Sequence, residues 1–130
     1  MEKRVILLLT ALFIGTSLLL AQGVPDRVIE AFKKGSSREL GRYLSEKVDL
    51  TIAGKSARAD KTPTEKAMGE FFVRHKVGSF TVSHRGKRDE SEFVIGTLAT
   101  ADGTFRVNCF FRKAGTNYVI HQIRIEKTNE

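Results

Sequence analysis

The sequence predicts an α+β domain, with three N-terminal helices packed on one face of a curved, mainly antiparallel sheet. Three observations carry this. Apolar residues recur at helical spacing in three segments before residue 79, each with its own start or stop signal. From Phe80 onward the chain reads as alternating strands parted by short polar turns. The apolar positions of those strands fall on one face, and a one-sided sheet needs a covering layer.

The elements follow in order. Pro25 suits a first helical position, Val28, Ile29 and Phe32 supply the apolar face, and Gly35 stops that helix. Ser36 opens a second helix, with Glu39 three residues on as a capping box. Leu40, Tyr43 and Leu44 form its buried stripe. Val48, Leu50 and Ile52 alternate with Asp49 and Thr51, a strand whose Asp49 points away from the core. Ala53, Gly54 and Lys55 read as a turn, and 56–59 as a short return strand. Thr62, Pro63 and Glu65 make a second capping signal. Ala67, Met68, Phe71, Phe72 and His75 then recur at helical spacing until Val77 and Gly78. Four strands follow at 80–85, 92–100, 104–113 and 117–127, joined by turns at 86–90, 101–103 and 114–116. Turns this short join antiparallel neighbours.

Loop lengths then predict the register. A three-residue loop at 101–103 sets Ile95 against Cys109 and Thr97 against Val107. One at 114–116 sets Phe111 against Val119, Cys109 against His121, and Val107 against Ile123. The inner face then carries Phe80, Val82, Phe93, Ile95, Phe105, Val107, Phe111, Val119, Ile123 and Ile125. Arg106, Asn108, Arg112, Gln122 and Arg124 form a solvated outer face.

Ahead of this domain, Lys3 and Arg4 precede an apolar run from Val5 to Leu20 that ends in Ala21, Gln22 and Gly23. Charged, apolar and small-residue regions in that order define a secretory leader. The run is shorter than a bilayer-spanning helix needs and is softened by Gly15, Thr16 and Ser17. Residues 1–21 therefore read as a cleaved signal peptide, with the cut between Ala21 and Gln22 preferred over one after Gly23, and 22–130 as a single exported domain. The alternative is an uncleaved N-terminal anchor. No cysteine follows the run to take a lipid, so cleavage leaves no stable membrane anchor. The expected destination is the periplasm or the extracellular space.

The whole chain carries a net charge of +7. Cleavage lowers Lys plus Arg from 22 to 20 and Asp plus Glu from 15 to 14, leaving +6. The basic residues come as scattered pairs, with no basic tract and no aromatic platform between them. A solvated surface, not a nucleic-acid partner, is expected. Cys109 is the single cysteine, so no internal disulfide can form.

Helix, helix, short strand pair, helix and long antiparallel meander is an order that resembles the nuclear transport factor 2-like superfamily, a cone-shaped α+β fold. More closely, the chain is similar to the small exported bacterial family called domain of unknown function 4783. The residues carrying that likeness are the leader's Leu20-Ala21-Gln22, the helix 28–35 (VIEAFKKG), Ile95-Gly96-Thr97-Leu98, the strand start 103–107 (GTFRV) and the closing 122–126 (QIRIE). The resemblance implies the fold and the compartment. It also implies a last strand lying centrally against the first hairpin, and often an apolar pocket inside the cone. It implies no chemistry.

Candidate site residues can then be weighed. Cys109 beside His121 on the inner face would suit an activated thiolate. The other reading makes Cys109 a small buried apolar residue and His121 a hydrogen-bonded core residue. No carboxylate shares that face to orient the histidine, nor to act as the base a ketosteroid isomerase-like reaction requires. His75, His84 and His121 are enough in number for zinc but lack metal-ligand spacing, so no metal and no cofactor are expected. Thr97, His84, Tyr43 and Phe72 join Cys109 and His121 as candidates lining the cone. Phe110 falls on the outer face among Arg106, Asn108 and Arg124, which marks a candidate homodimer surface. The expected function is a non-catalytic binding or interaction module for a small apolar or amphipathic ligand. The alternatives are a small enzyme using Cys109 and His121, and a structural homodimer with a filled cone.

Overall fold

A computed structural model describes residues 23–128. The leader expected at 1–21, with Ala21 and Gln22 at its cleavage point, lies outside the described residues. Helix α1 (Val24–Lys34) has Pro25 in its first turn. Asp26 lies near its positive end, and Lys33 and Lys34 near its negative end. Gly35 closes it at φ 64°, so that its N–H reaches Phe32 O at 3.1 Å and Ser36 N–H reaches Ala31 O at 3.0 Å. Helix α2 (Ser37–Gly41) starts as expected, with Ser36 Oγ accepting the Glu39 N–H at 3.1 Å. It ends sooner than expected. The Tyr43 carbonyl accepts the Ile120 N–H at 2.7 Å, so the backbone here is claimed by the sheet, and Leu44 opens a strand.

Strands β1 (Leu44–Ile52) and β2 (Lys55–Asp60) form a hairpin through Ala53 and Gly54, both at positive φ. Helix α3 (Lys61–Arg74) begins one residue before the expected Thr62 cap. Asp60 occupies the cap position, but its carboxylate pairs with Lys47 at 2.7 Å across the hairpin. Thr64 lies buried within the first turn and donates to the Asp60 carbonyl at 2.8 Å. The meander follows as β3 (Val77–Arg88), β4 (Ser91–Thr100), β5 (Gly103–Ala114) and β6 (Asn117–Lys127).

The six strands form one sheet in the order β2-β1-β6-β5-β4-β3, antiparallel throughout except where β6 runs parallel to β1. The last strand thus lies centrally, as the resemblance implied. The third helix lies between the hairpin and the meander, so the helices are not a single N-terminal block.

The inner face is closed by packing. Phe32 of α1 meets Phe72 of α3 edge-on at 6.1 Å and Phe80 of β3 at 5.2 Å, and Phe71 meets Phe105 edge-on at 5.1 Å. Met68, Leu98, Val107, Phe111, Ile120, Ile123 and Ile125 complete a continuous core. Each such side chain contributes about 1.5–3 kcal/mol by burial.

The turns are shorter than the sequence reading assumed, and this shifts the registers. Thr100 faces Gly103 across the two-residue turn Ala101–Asp102. Val94, not Ile95, therefore opposes Cys109, and Gly96, not Thr97, opposes Val107. On β4 the buried residues are Val94, Gly96 and Leu98, while Phe93 and Ile95 turn to the other face. In the last hairpin Ala114 faces Asn117, so Phe111 meets Ile120 in place of Val119. A β-bulge then inserts His121, after which Phe110 faces Gln122 and Cys109 faces Ile123. The inner row of β5, expected as Phe105, Val107, Cys109 and Phe111, is buried as read.

Candidate functional site

The expected Cys109–His121 pair does not form, because the bulge inserts His121 between the Ile120 and Ile123 positions and sets Cys109 against Ile123. Cys109 is 1% exposed, and burial in apolar surroundings pushes its thiol far above the ordinary range, away from the nucleophilic thiolate. His121 lies half-buried close to Arg112 and Asp49. Burial holds its pKa below the ordinary value, Arg112 adds to that, and Asp49 opposes it. Tyr43 does not enter the cone either. It is half-buried in a crevice of about 190 Å³ with Arg27, Glu30, Lys34, Glu39 and Arg42. Phe72 is a core residue, wedged between Phe32 and Phe71, with one edge on the shallow surface between α2 and α3.

His84 and Thr97, expected inside the cone, stand exposed on the outer face. The cause is local. On β3 a bulge follows Val82, so Ser83 becomes the extra residue and His84 opposes Ile95. On β4 the two-residue turn puts Thr97 opposite Arg106 and Ile95 opposite Asn108. These shifts bring Ser83, His84, Ile95, Thr97, Arg106 and Asn108 around one hollow of about 380 Å³ on the outer face. Two groups of candidates kept apart in the sequence reading, the cone-lining pair and the outer-face pair, therefore share one site.

The chemistry of this hollow is unbalanced. The Arg106 guanidinium makes no ion pair among the described residues. Its cross-strand neighbour Glu126 is taken by Arg124, with Nε to Oε1 at 2.8 Å. Asn108 Oδ1 is buried and has no hydrogen-bond partner. A buried acceptor left without a donor costs about 1–3 kcal/mol. Ser83 Oγ donates to the Ile95 carbonyl at 3.1 Å, which leaves its oxygen free to accept. Ile95 supplies the one apolar wall. Beside the hollow, Phe110 stands half-buried between Phe93 and Gln122.

One arrangement had no signal in the sequence reading. His75 Nδ1 lies 2.9 Å from each carboxylate oxygen of Asp102, and its ring meets Phe71 at a tilt (4.8 Å) and Phe105 edge-on (4.9 Å). The hydrogen bond from His75 holds the Asp102 carboxyl below the usual range; slight desolvation opposes this, and Thr100 reinforces it. The two residues are 27 positions apart, so only the fold could reveal the pair. His75 borders a groove of about 360 Å³ between α3 and the first hairpin, and that groove carries no hydroxyl or thiol nucleophile. The pair ties the end of α3 to the β4–β5 turn. Among the described residues no group of His, Cys, Asp and Glu is placed to hold a metal ion. None of the described helices is long and apolar enough to cross a membrane.

This order of elements, with the parallel β1–β6 contact and a helix-covered curved sheet, is the nuclear transport factor 2-like α+β fold, shared with a designed protein of that type at 14% identity and a TM-score of 0.63, covering 77% of this chain and 90% of that one. Within that class the chain belongs to the family described as "Domain of unknown function (DUF4783)", whose profile matches residues 25–126. A crystal structure of a family member from Bacteroides uniformis is 64% identical, with a TM-score of 0.81, covering 83% of this chain and 100% of that one. One from Bacteroides ovatus is 56% identical, with a TM-score of 0.81, covering 85% of this chain and 100% of that one. A designed protein with a curved β-sheet shares the fold at 15% identity and a TM-score of 0.66, covering 78% of this chain and 93% of that one. No curated protein matches the chain.

Proposed function

We propose that this chain is an exported, non-catalytic binding module that works through the outer face of its sheet. One observation carries the reading. The unpartnered polar groups, the Arg106 guanidinium and Asn108 Oδ1, gather in the outer hollow, while Cys109 and its neighbours are sealed in the core. Binding inside the cone loses its support, because Thr97 and His84 point the other way and phenylalanine rings occupy the interior. The leader-like residues 1–21 support export to the periplasm or beyond.

A second reading has its own support. Phe93, Ile95 and Phe110 lie half-buried on the same outer face, an apolar strip suited to a homodimer. Arg106, Arg112 and Arg124 share that face and would repel their copies in a self-paired dimer.

Native mass spectrometry of the protein recovered from the envelope fraction tests both. A mass beginning at Gln22, with a retained species lost on Arg106→Gln and kept on Cys109→Ala, is expected. An uncleaved chain, or a retained species indifferent to Arg106, overturns the proposal. A bare dimer mass abolished by Phe110→Glu favours the second reading.

A further inference from the structure

From the hollow's chemistry we infer its ligand class: a single sugar acid, held by its carboxylate and by a ring hydroxyl. The inference rests on the outer-face reading above and goes further by naming what binds.

Each feature of the ligand answers a group on the protein. Arg106 projects an exposed guanidinium with no ion-pair partner among the described residues, since Glu126 is engaged by Arg124. A guanidinium presents paired N–H donors in a plane, which fits a carboxylate in two parallel hydrogen bonds. Among the described residues Arg106 is the one Lys or Arg lining the hollow, with the His84 imidazole beside it, and one guanidinium fork matches a single planar carboxylate. Asn108 Oδ1 is an acceptor without a donor among the described residues, sealed at the wall of the hollow, and a small turn of its amide would offer it to an O–H or N–H of the ligand. Thr97 is the cross-strand partner of Arg106, and Ile95 of Asn108, which places a hydroxyl beside one polar anchor and an aliphatic wall beside the other. Ser83 Oγ, whose proton is committed to the Ile95 carbonyl, is a second acceptor for ligand hydroxyls. A carboxylate, several hydroxyl donors and a small C–H face are what a sugar acid combines. The volume of about 380 Å³ lies at the low end for a ligand site, which suits one ring and not a chain.

The β-bulge is the structural device that makes the site. Without the extra Ser83, β3 would stay in phase with β4, and His84 would not rim the hollow.

Amide chemical shifts of the mature protein, titrated with D-galacturonate, D-galactose, acetate and glucose 6-phosphate, test the inference. Galacturonate should shift the amides of Ser83, Ile95, Thr97, Arg106 and Asn108, with galactose and acetate at least tenfold weaker. Arg106→Gln and Asn108→Leu should each weaken galacturonate at least tenfold, with unchanged melting temperatures showing that the fold is kept. If either variant unfolds, His84→Ala and Thr97→Val replace it, with a threefold or greater weakening expected. Tighter binding of glucose 6-phosphate overturns the carboxylate assignment. Binding unaffected by Arg106→Gln, or shifts confined to other residues, overturns the site. A dimer that ignores all four probes and dissociates on Phe110→Glu overturns the ligand and favours the homodimer reading of the same face. A monomer that ignores all four overturns the ligand class; whether it keeps an envelope species sensitive to Arg106 then decides the broader reading separately.

Discussion

At the scale of single residues, the Phe80 ring and the Thr81 carbonyl leave no room for a side chain at Gly96. A Cβ on Gly96 would lie 2.6 Å from Phe80 Cζ and 2.8 Å from the Thr81 carbonyl, neither contact tolerable. Gly96→Ala should therefore destabilise the fold by about 1–3 kcal/mol in urea titration. Gly78→Ala, where the nearest atom is the Ala99 carbonyl at 3.5 Å, should cost far less. Cys109 gives a second expectation. Its thiol is sealed between Val94 and Ile123, so a thiol reagent such as DTNB should label it only at the rate of global opening. Fast labelling of the native protein would contradict this packing. Single-residue burial was only partly legible in the sequence. The alternation of Phe105, Val107 and Phe111 gave the β5 face directly. On β4, however, Phe93 and Ile95 are as apolar as Val94 and Leu98, so composition could not choose a face, and the assumed turn length chose wrongly.

At the scale of elements, helices and strands were readable because their punctuation is local. Gly35, Ser36 and the Ala53–Gly54 turn act within a few residues of themselves. The bulges at Ser83 and His121 were not readable, since they settle a mismatch between strands distant in sequence. That is why the outer hollow, built on one bulge, emerged only from the fold. Elements are also held together by charge. Arg85 Nη1 of β3 lies 2.7 Å from Asp26 Oδ1 at the start of α1. The hydrogen bond from Arg85 holds the Asp26 carboxyl below its usual range, against a small opposing effect of burial. A lowered folded pKa means the pair stabilises the protein above the ordinary carboxylate range, and the gain fades as pH falls through the lowered value. Both side chains are more than a third exposed, so solvent screening limits the gain to a few tenths up to about 1 kcal/mol. Arg85→Gln should lose that much at pH 7 and approach wild type as pH falls through the lowered Asp26 value, as read from urea midpoints at each pH.

At the scale of the whole molecule, the sheet is organised around β6, which pairs with β5 on one side and β1 on the other. Ile120, Ile123 and Ile125 project from it into the core. Ile123→Ala should cost about 2–5 kcal/mol and keep a single cooperative transition by circular dichroism and fluorescence. A separate early transition of the first hairpin would contradict this unity. The element order made the α+β class and the central last strand legible, because order constrains topology even where register is hidden. The placement of β6 also bears on timing. Any route that delivers this chain amino end first, through a ribosome exit or a membrane pore, presents β1 long before its parallel partner. The hairpin can pair within itself early, but the β1–β6 seam closes only after residues 117–127 have emerged.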